Sequence, residues 1–270
     1  MTDGLNGKWA LVLGASSGFG AGCSQALAGA GMNIFGVHLD RKATLPRANE
    51  IIASIEALGK EAHFFNVNAA DARKRQRVLE AIVGTLAEGP ERTIHVMLHS
   101  LAFGTLLPFV ADDWDEEDTY VNQAQMEMTL EVMAHSLVYW VQDLLRYDLL
   151  GEGSRVFSMT SAGSHRVVPT YGAVSAAKAA LESHTRQLAM ELADRGIMVN
   201  CLQAGVTDTP ALRAIPGSER LVEEALKRQP SGRLTTPEDL AASLVALSDP
   251  RVRWINGAII RVDGGEDVIG

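Results

Sequence analysis

The sequence predicts an α/β fold: one doubly wound, largely parallel sheet of about seven strands with helices on both faces. Three observations carry this. Short apolar runs alternate with longer helical patterns along the whole chain. The apolar runs are near-continuous, as strands covered on both faces require. No linker, low-complexity segment or repeat divides the chain, so its 270 residues and 29.0 kDa fit a single domain over 1–270.

The elements follow in order. WALVL at Trp9–Leu13 opens the sheet, and a small-residue helix, about 18–30, follows it. The second unit is a strand at 33–39 (NIFGVHL) and a helix at 43–58. The third is a strand at 61–66 and a helix at 71–87, in which Arg73, Lys74, Arg75 and Arg77 form a solvated face and Val78, Leu79 and Ile82 point inward. A fourth strand, Ile94–His99, leads into one long helix at 114–148. Strands at 155–160, 198–202 and 258–262 complete the sheet, with helices at 171–194, 219–228 and 237–248.

Composition excludes several classes. With 24 basic against 33 acidic side chains the net charge is −9, which argues against nucleic acid as a partner. Cys23 and Cys201 form no closely spaced set, so neither a disulfide framework nor a zinc site is expected, and both read as small buried apolar groups. No metal site is expected elsewhere. No apolar stretch reaches the roughly 18 residues that span a bilayer, and the start of the chain lacks a secretory pattern, so a cytoplasmic protein without membrane contact is expected.

In doubly wound sheets ligands bind beyond the carboxyl ends of the strands. There the first strand runs into Gly14-Ala15-Ser16-Ser17-Gly18-Phe19-Gly20 and then a helix. Glycines let the backbone approach a pyrophosphate, and the helix N-terminus offers free N–H groups and a positive dipole end. In a βαβ unit this is a dinucleotide loop of a Rossmann-like fold, with Gly14, Ser16, Ser17, Gly18, Phe19 and Gly20 as its binding residues. At the end of the second strand an acid would hold the adenosine ribose and repel a 2′-phosphate. Seven residues past Gly31 stands His38, with Arg41 and Lys42 close behind, which favours NADPH; Asp40 between them keeps NADH as the alternative. Asn66 and Val67, after the third strand, would border the adenine.

Tyr171 and Lys178 stand seven residues apart in YGAVSAAK. At 100° per residue that is about 20° short of two turns, so both project from one face, roughly 10 Å apart along the axis. A buried lysine stabilises phenolate and is expected to lower the phenol pKa from about 10. Lysine also suits a nicotinamide ribose.

With these residues the chain resembles the short-chain dehydrogenase/reductase superfamily over almost its whole length, from Gly14 to Val262-Asp263-Gly264-Gly265. Most members place the lysine where Ser175 stands here. Six intervening residues are similar to the divergent enoyl-acyl-carrier-protein reductases, as is His99-Ser100-Leu101-Ala102-Phe103; Ala204-Gly205 replaces the usual Pro-Gly. Because the glycine loop keeps the general pattern, the combination looks most like the minor, NADPH-using enoyl reductases of Bacillus-like bacteria. The resemblance implies cofactor contacts at Ser100, Leu101, Ala102, Gly205, Thr207 and Thr209, with Thr209 near the nicotinamide carboxamide or pyrophosphate. It implies that Ser161 assists Tyr171, with Ser158 and Thr160 as rivals. Asn122 matches the asparagine that holds a proton-relay water, or is a polar residue bonding its own backbone.

The expected reaction is reduction of the 2,3 double bond of an enoyl thioester, possibly carried on acyl carrier protein, by a homotetramer. Residues 209–233 read as a substrate lid, with Leu212, Ile215, Leu221 and Leu226 toward an acyl channel. Arg213, Arg220, Lys227, Arg228 and Arg233 there read as a basic patch for an acidic carrier. A carbonyl reductase acting on 3-ketoacyl substrates is the nearest rival, and a non-catalytic dinucleotide-binding regulator is the rival from another class.

Overall fold

The computed structural model describes residues 4–111, 113 and 119–269. Seven parallel strands, β1 (Trp9–Leu13), β2 (Asn33–His38), β3 (Ala62–Asn66), β4 (Ile94–His99), β5 (Arg155–Ser161), β6 (Met198–Ala204) and β7 (Ile259–Val262), form one sheet in the order β3-β2-β1-β4-β5-β6-β7. The order reverses between β1 and β4, where their carboxyl ends, Leu13 and His99, lie side by side. That switch point is where a doubly wound sheet opens a crevice.

Period-two alternation divides the core. Leu11, Leu13, Phe35 and Met97 face one layer, with Trp140 and Leu181 from the helices, and Trp140 donates its indole N–H to the Ala69 carbonyl at 2.9 Å. Ala10, Val12, Ile34 and Leu98 face the other, against Cys23 and Leu27 of α1 (Gly18–Gly29) and Leu240 and Leu244 of α9 (Pro237–Leu247). Only the edge strand β7 is largely exposed. Both cysteines are free and buried, and burial pushes the Cys23 thiol up to about 12 and Cys201 to about 11.

The helices α2 (Leu45–Glu56), α3 (Ala72–Glu88), α6 (Gly172–Glu191) and α8 (Ser218–Arg228) fall within a few residues of expectation. Three expectations fail. The long helix at 114–148 begins only at Gln123; residues 114–118 lie outside the described residues. The Asn122 side chain accepts from the Gln125 N–H at 2.9 Å, and Gln125 returns the bond to the Asn122 N–H, a capping box that fixes the start. The helix is then interrupted: α4 (Gln123–Leu130) passes through a π-helical turn, Glu131–His135, into α5 (Ser136–Arg146). Arg75 is not on a solvated face. It is buried against α5, with Nε 2.7 Å from Asp143 and its guanidinium over the Tyr139 ring. A short α7 (Pro210–Arg213) also appears, capped by the Thr209 side chain. Among the described residues no helix is long and apolar enough to cross a membrane, and no group of three or more His, Cys, Asp or Glu side chains forms a metal site.

Candidate active site

The glycine loop sits at the switch point and is shaped by close backbone contact. Gly14 has φ +89°, and a Cβ there would collide with the Ser100 carbonyl; a Cβ on Gly20 would collide with the Gly14 carbonyl. Only glycine fits either place. Ser17 occupies the N-cap of α1 without a side-chain cap bond, and the first turn holds no acidic residue. The N–H groups of that turn remain available to an anion, and the dipole favours one. Ser100 and Leu101 flank Gly14, while Ala102 is exposed. From the far side comes the segment after β6. Thr209 lies against Gly18, Thr207 is buried with its hydroxyl on the Gly205 carbonyl, and Val206 is tied to Glu266. These residues fit a dinucleotide pyrophosphate.

At the end of β2 the side chains arrange differently from the residue count. His38 is buried, with Nδ1 2.8 Å from the Asp40 carboxylate and its ring near Phe64. Asp40, rather than His38, reaches the loop. Hydrogen bonds from Ser16, Thr44 and His38 hold its carboxyl below the usual range against partial burial, the largest single influence. Asn66 bonds both the N–H and the C=O of Asp40, at 2.9 and 3.0 Å, and so fixes the turn. Val67 donates its N–H to the His38 carbonyl, and Arg41 is exposed.

Tyr171 occupies the N-cap of α6 rather than its first turn, and Thr170 before it holds φ +62°. Two devices support the loop between β5 and this point. The Ser161 hydroxyl accepts from the Gly163 N–H at 3.2 Å, and the Asp267 carboxylate near the C-terminus bonds His165, Arg166 and Gln203 at 3.0, 2.6 and 3.0 Å. Sequence reasoning missed Asp267, because its loop partners lie more than a hundred residues away and no local pattern links them.

The three candidate hydroxyls stand in different surroundings. Ser158 is paired with Thr185 at 2.9 Å, and Thr160 donates to Glu182 at 2.7 Å. Ser161 is left beside the Tyr171 phenol and hydrogen-bonds it. Burial raises the Tyr171 pKa and the Ser161 bond only partly offsets this. The direction is opposite to the lowering expected from the lysine, and Tyr171 is protonated at neutral pH. Lys178 is buried, donates to the Met159 carbonyl at 2.7 Å, and is pushed down to about 8 by desolvation.

His99 is fully buried beneath the site. Its Nε2 lies 2.8 Å from the Ser136 hydroxyl, which itself donates to the Val132 carbonyl of the π turn, so Nε2 carries the proton. Burial, with the nearby Lys178 charge second, pushes His99 down to about 3. Asn122 does not join this group; its side chain is committed to the α4 cap. The lid residues lie on α7, α8 and their flanks, with Leu226 exposed and Leu212, Ile215 and Leu221 half-buried. The basic patch there is largely neutralised. Arg213 pairs with Asp208, Arg220 with Glu224, Arg228 with Glu266 and Arg233 with Asp239.

Comparison with known proteins agrees with this geometry. The family described as enoyl-(acyl carrier protein) reductase matches residues 14–266. The 2-dehydro-3-deoxy-D-gluconate 5-dehydrogenase of Bacillus subtilis is 30% identical over 97% of this chain and 95% of its own. The NADH-dependent enoyl-acyl-carrier-protein reductase FabI of Aquifex aeolicus is 29% identical over 66% of this chain, and the match spans 64% of that relative's length. A short-chain dehydrogenase of Burkholderia cenocepacia, solved in complex with NADP, superposes with a TM-score of 0.81 at 27% identity, covering 98% of this chain and 100% of that one. A family match over nearly the whole chain, a glycine loop at the switch point and a tyrosine-lysine pair at the start of α6 lead to one conclusion: the chain belongs to the short-chain dehydrogenase/reductase superfamily of NAD(P)-dependent oxidoreductases, with an enoyl-reductase-like pattern.

Proposed function

We propose that this oxidoreductase reduces the 2,3 double bond of an enoyl thioester, as an enoyl-acyl-carrier-protein reductase of fatty acid synthesis. The observation that carries the reading is the Tyr171–Lys178 pair, seven residues apart, with His99-Ser100-Leu101-Ala102-Phe103 closing the end of β4. A bound reduced nicotinamide supplies the hydride. Lys178 orients its ribose, and the α1 N-terminus and Gly14–Gly20 loop hold its phosphates. Tyr171, kept protonated by burial, donates a hydrogen bond to the thioester oxygen as negative charge gathers there, and Ser161 fixes the phenol. A donor oriented before charge appears contributes about 3–4 kcal/mol. Phe103, Phe109, Val110 and Val167 are exposed apolar side chains, and the Phe109 ring lies against Gly172, next to Tyr171. An exposed apolar ring beside Tyr171 suits an acyl chain better than a sugar acid.

Arg41 and Lys42 favour NADPH, with NADH as the alternative because Asp40 stands between the glycine loop and these cations. The exposed β7 edge with Trp254 and Ile259 supports a homotetramer. An acyl carrier protein remains the source of substrate in this reading, docking elsewhere than on the neutralised lid arginines.

Reduction of a ketone is the second reading, favoured by the Bacillus subtilis dehydrogenase, which aligns along 97% of the chain. Incubation with NADPH and either crotonyl or acetoacetyl thioester, following nicotinamide absorbance, separates the two. Oxidation with crotonyl thioester alone is expected; oxidation with acetoacetyl thioester alone transfers the assignment to a carbonyl reductase.

A further inference from the structure

Four consecutive residues at the end of β5 each reach α6. Ser158 pairs with Thr185, the Met159 carbonyl accepts from Lys178, Thr160 donates to Glu182, and Ser161 bonds the Tyr171 phenol. Within this clasp Glu182 is the anion. It lies one helical turn beyond Lys178, on the same face. Glu182 is half-buried, its partner Thr160 is buried, and the 2.7 Å bond fixes the carboxylate against the end of β5.

Lys178 needs such a neighbour. A buried ammonium loses its hydration, and a carbonyl dipole replaces only part of it. The titratable groups around it are His99 from β4, Cys201 from β6, and Tyr171 and Glu182 on its own helix. His99 and Cys201 are both neutral at physiological pH, the imidazole pushed down to about 3 and the thiol up to about 11. Tyr171 is protonated. Glu182 is the carboxylate that supports the lysine's charge.

We propose that Glu182 is a positioning residue that keeps the buried Lys178 ammonium charged and, through Thr160, holds the end of β5 that carries both the Met159 carbonyl and Ser161. It touches neither substrate nor cofactor and acts through Lys178. The inference rests on the reading that Lys178 holds the nucleotide ribose beside Tyr171.

Charge and hydrogen bond separate cleanly. Glu182→Gln keeps an acceptor for Thr160 and removes the charge; Thr160→Val removes the bond and keeps the charge. The readout is the NADPH dissociation constant from protein fluorescence between pH 6.5 and 9.5, with crotonyl-thioester turnover alongside. Above the lysine's pKa affinity falls as the ammonium is lost. Glu182→Gln is expected to bring that fall about one pH unit lower, weakening binding up to about tenfold near pH 9 while leaving pH 6.5 nearly unchanged. Thr160→Val is expected to alter affinity evenly across the range without moving the fall. A Glu182→Gln curve superimposable on wild type, or an equal displacement in Thr160→Val, overturns the assignment. Lys178→Met distinguishes the parent reading: it should erase the pH-dependent fall, and a Lys178→Met protein that binds and turns over like wild type refutes the role of Lys178 itself.

Discussion

Acid should destabilise this protein through His99, and the size of the effect follows from its surroundings. The imidazole is fully buried, its Nε2–H is spent on Ser136, and the Lys178 charge is near, so the folded state resists a second proton until about pH 3. An unfolded histidine takes that proton near pH 6.5. With the folded pKa depressed, the unfolded chain binds more protons between these values, so stability is full above about 6.5 and is lost as pH falls through that window. At pH 5 the gap is about 1.5 units, or about 2 kcal/mol at 1.36 kcal/mol per unit. The figure barely depends on the folded pKa, since pH 5 lies well above it. His95, pushed down to about 4 mainly by burial, adds a parallel effect, which a variant at His99 leaves intact. Urea unfolding followed by circular dichroism at fixed protein concentration, at pH 7.5 and pH 5, isolates the term for wild type, His99→Gln and His99→Phe. Any overall loss in a variant cancels in the difference between the two pH values. Both variants should lose about 2 kcal/mol less than wild type on acidification. Equal losses in all three proteins would refute the buried neutral imidazole.

Asp40→Ser should raise NADPH affinity relative to NADH by about tenfold, because it removes an anion fixed beside Ser16 where a 2′-phosphate would lie; fluorescence titration with both nucleotides checks this. Ser161→Ala should lower kcat about tenfold with little change in KM, since the lost hydrogen bond, worth about 1–1.5 kcal/mol, supports the phenol during the chemical step. Steady-state kinetics with crotonyl thioester reads both parameters.

Much of this architecture was legible because the determining signals are local. Near-continuous apolar runs located all seven strands, and the glycine loop declared itself by its place between a strand and a helix. Side-chain pairings were less legible, whether the partner was near or far in sequence. Asn122 was ambiguous in sequence because an asparagine serves a relay or an N-cap equally well; Gln125, three residues on, decided for the cap. Arg75 looked solvated within a basic run, yet it meets Asp143 from a helix 68 residues later. The lid arginines looked like a patch because only Arg220–Glu224 is a helical-spacing pair, whereas Arg228 finds Glu266 through the fold and Arg233 meets Asp239 across a turn. The direction of the tyrosine's shift was not legible either: spacing set a lysine on its face but did not show the burial that raises its pKa.

The central claim is that a protonated Tyr171 donates to a developing oxygen charge beside a bound nicotinamide. Tyr171→Phe removes one oxygen atom from the site and keeps the ring. The measurement is nucleotide affinity and single-turnover reduction of crotonyl thioester in the same preparation. Affinity within about twofold of wild type, with reduction slowed about 10²–10³-fold, is the predicted result. Reduction at the wild-type rate in Tyr171→Phe, or a wild-type protein that binds neither NADPH nor NADH, would contradict it.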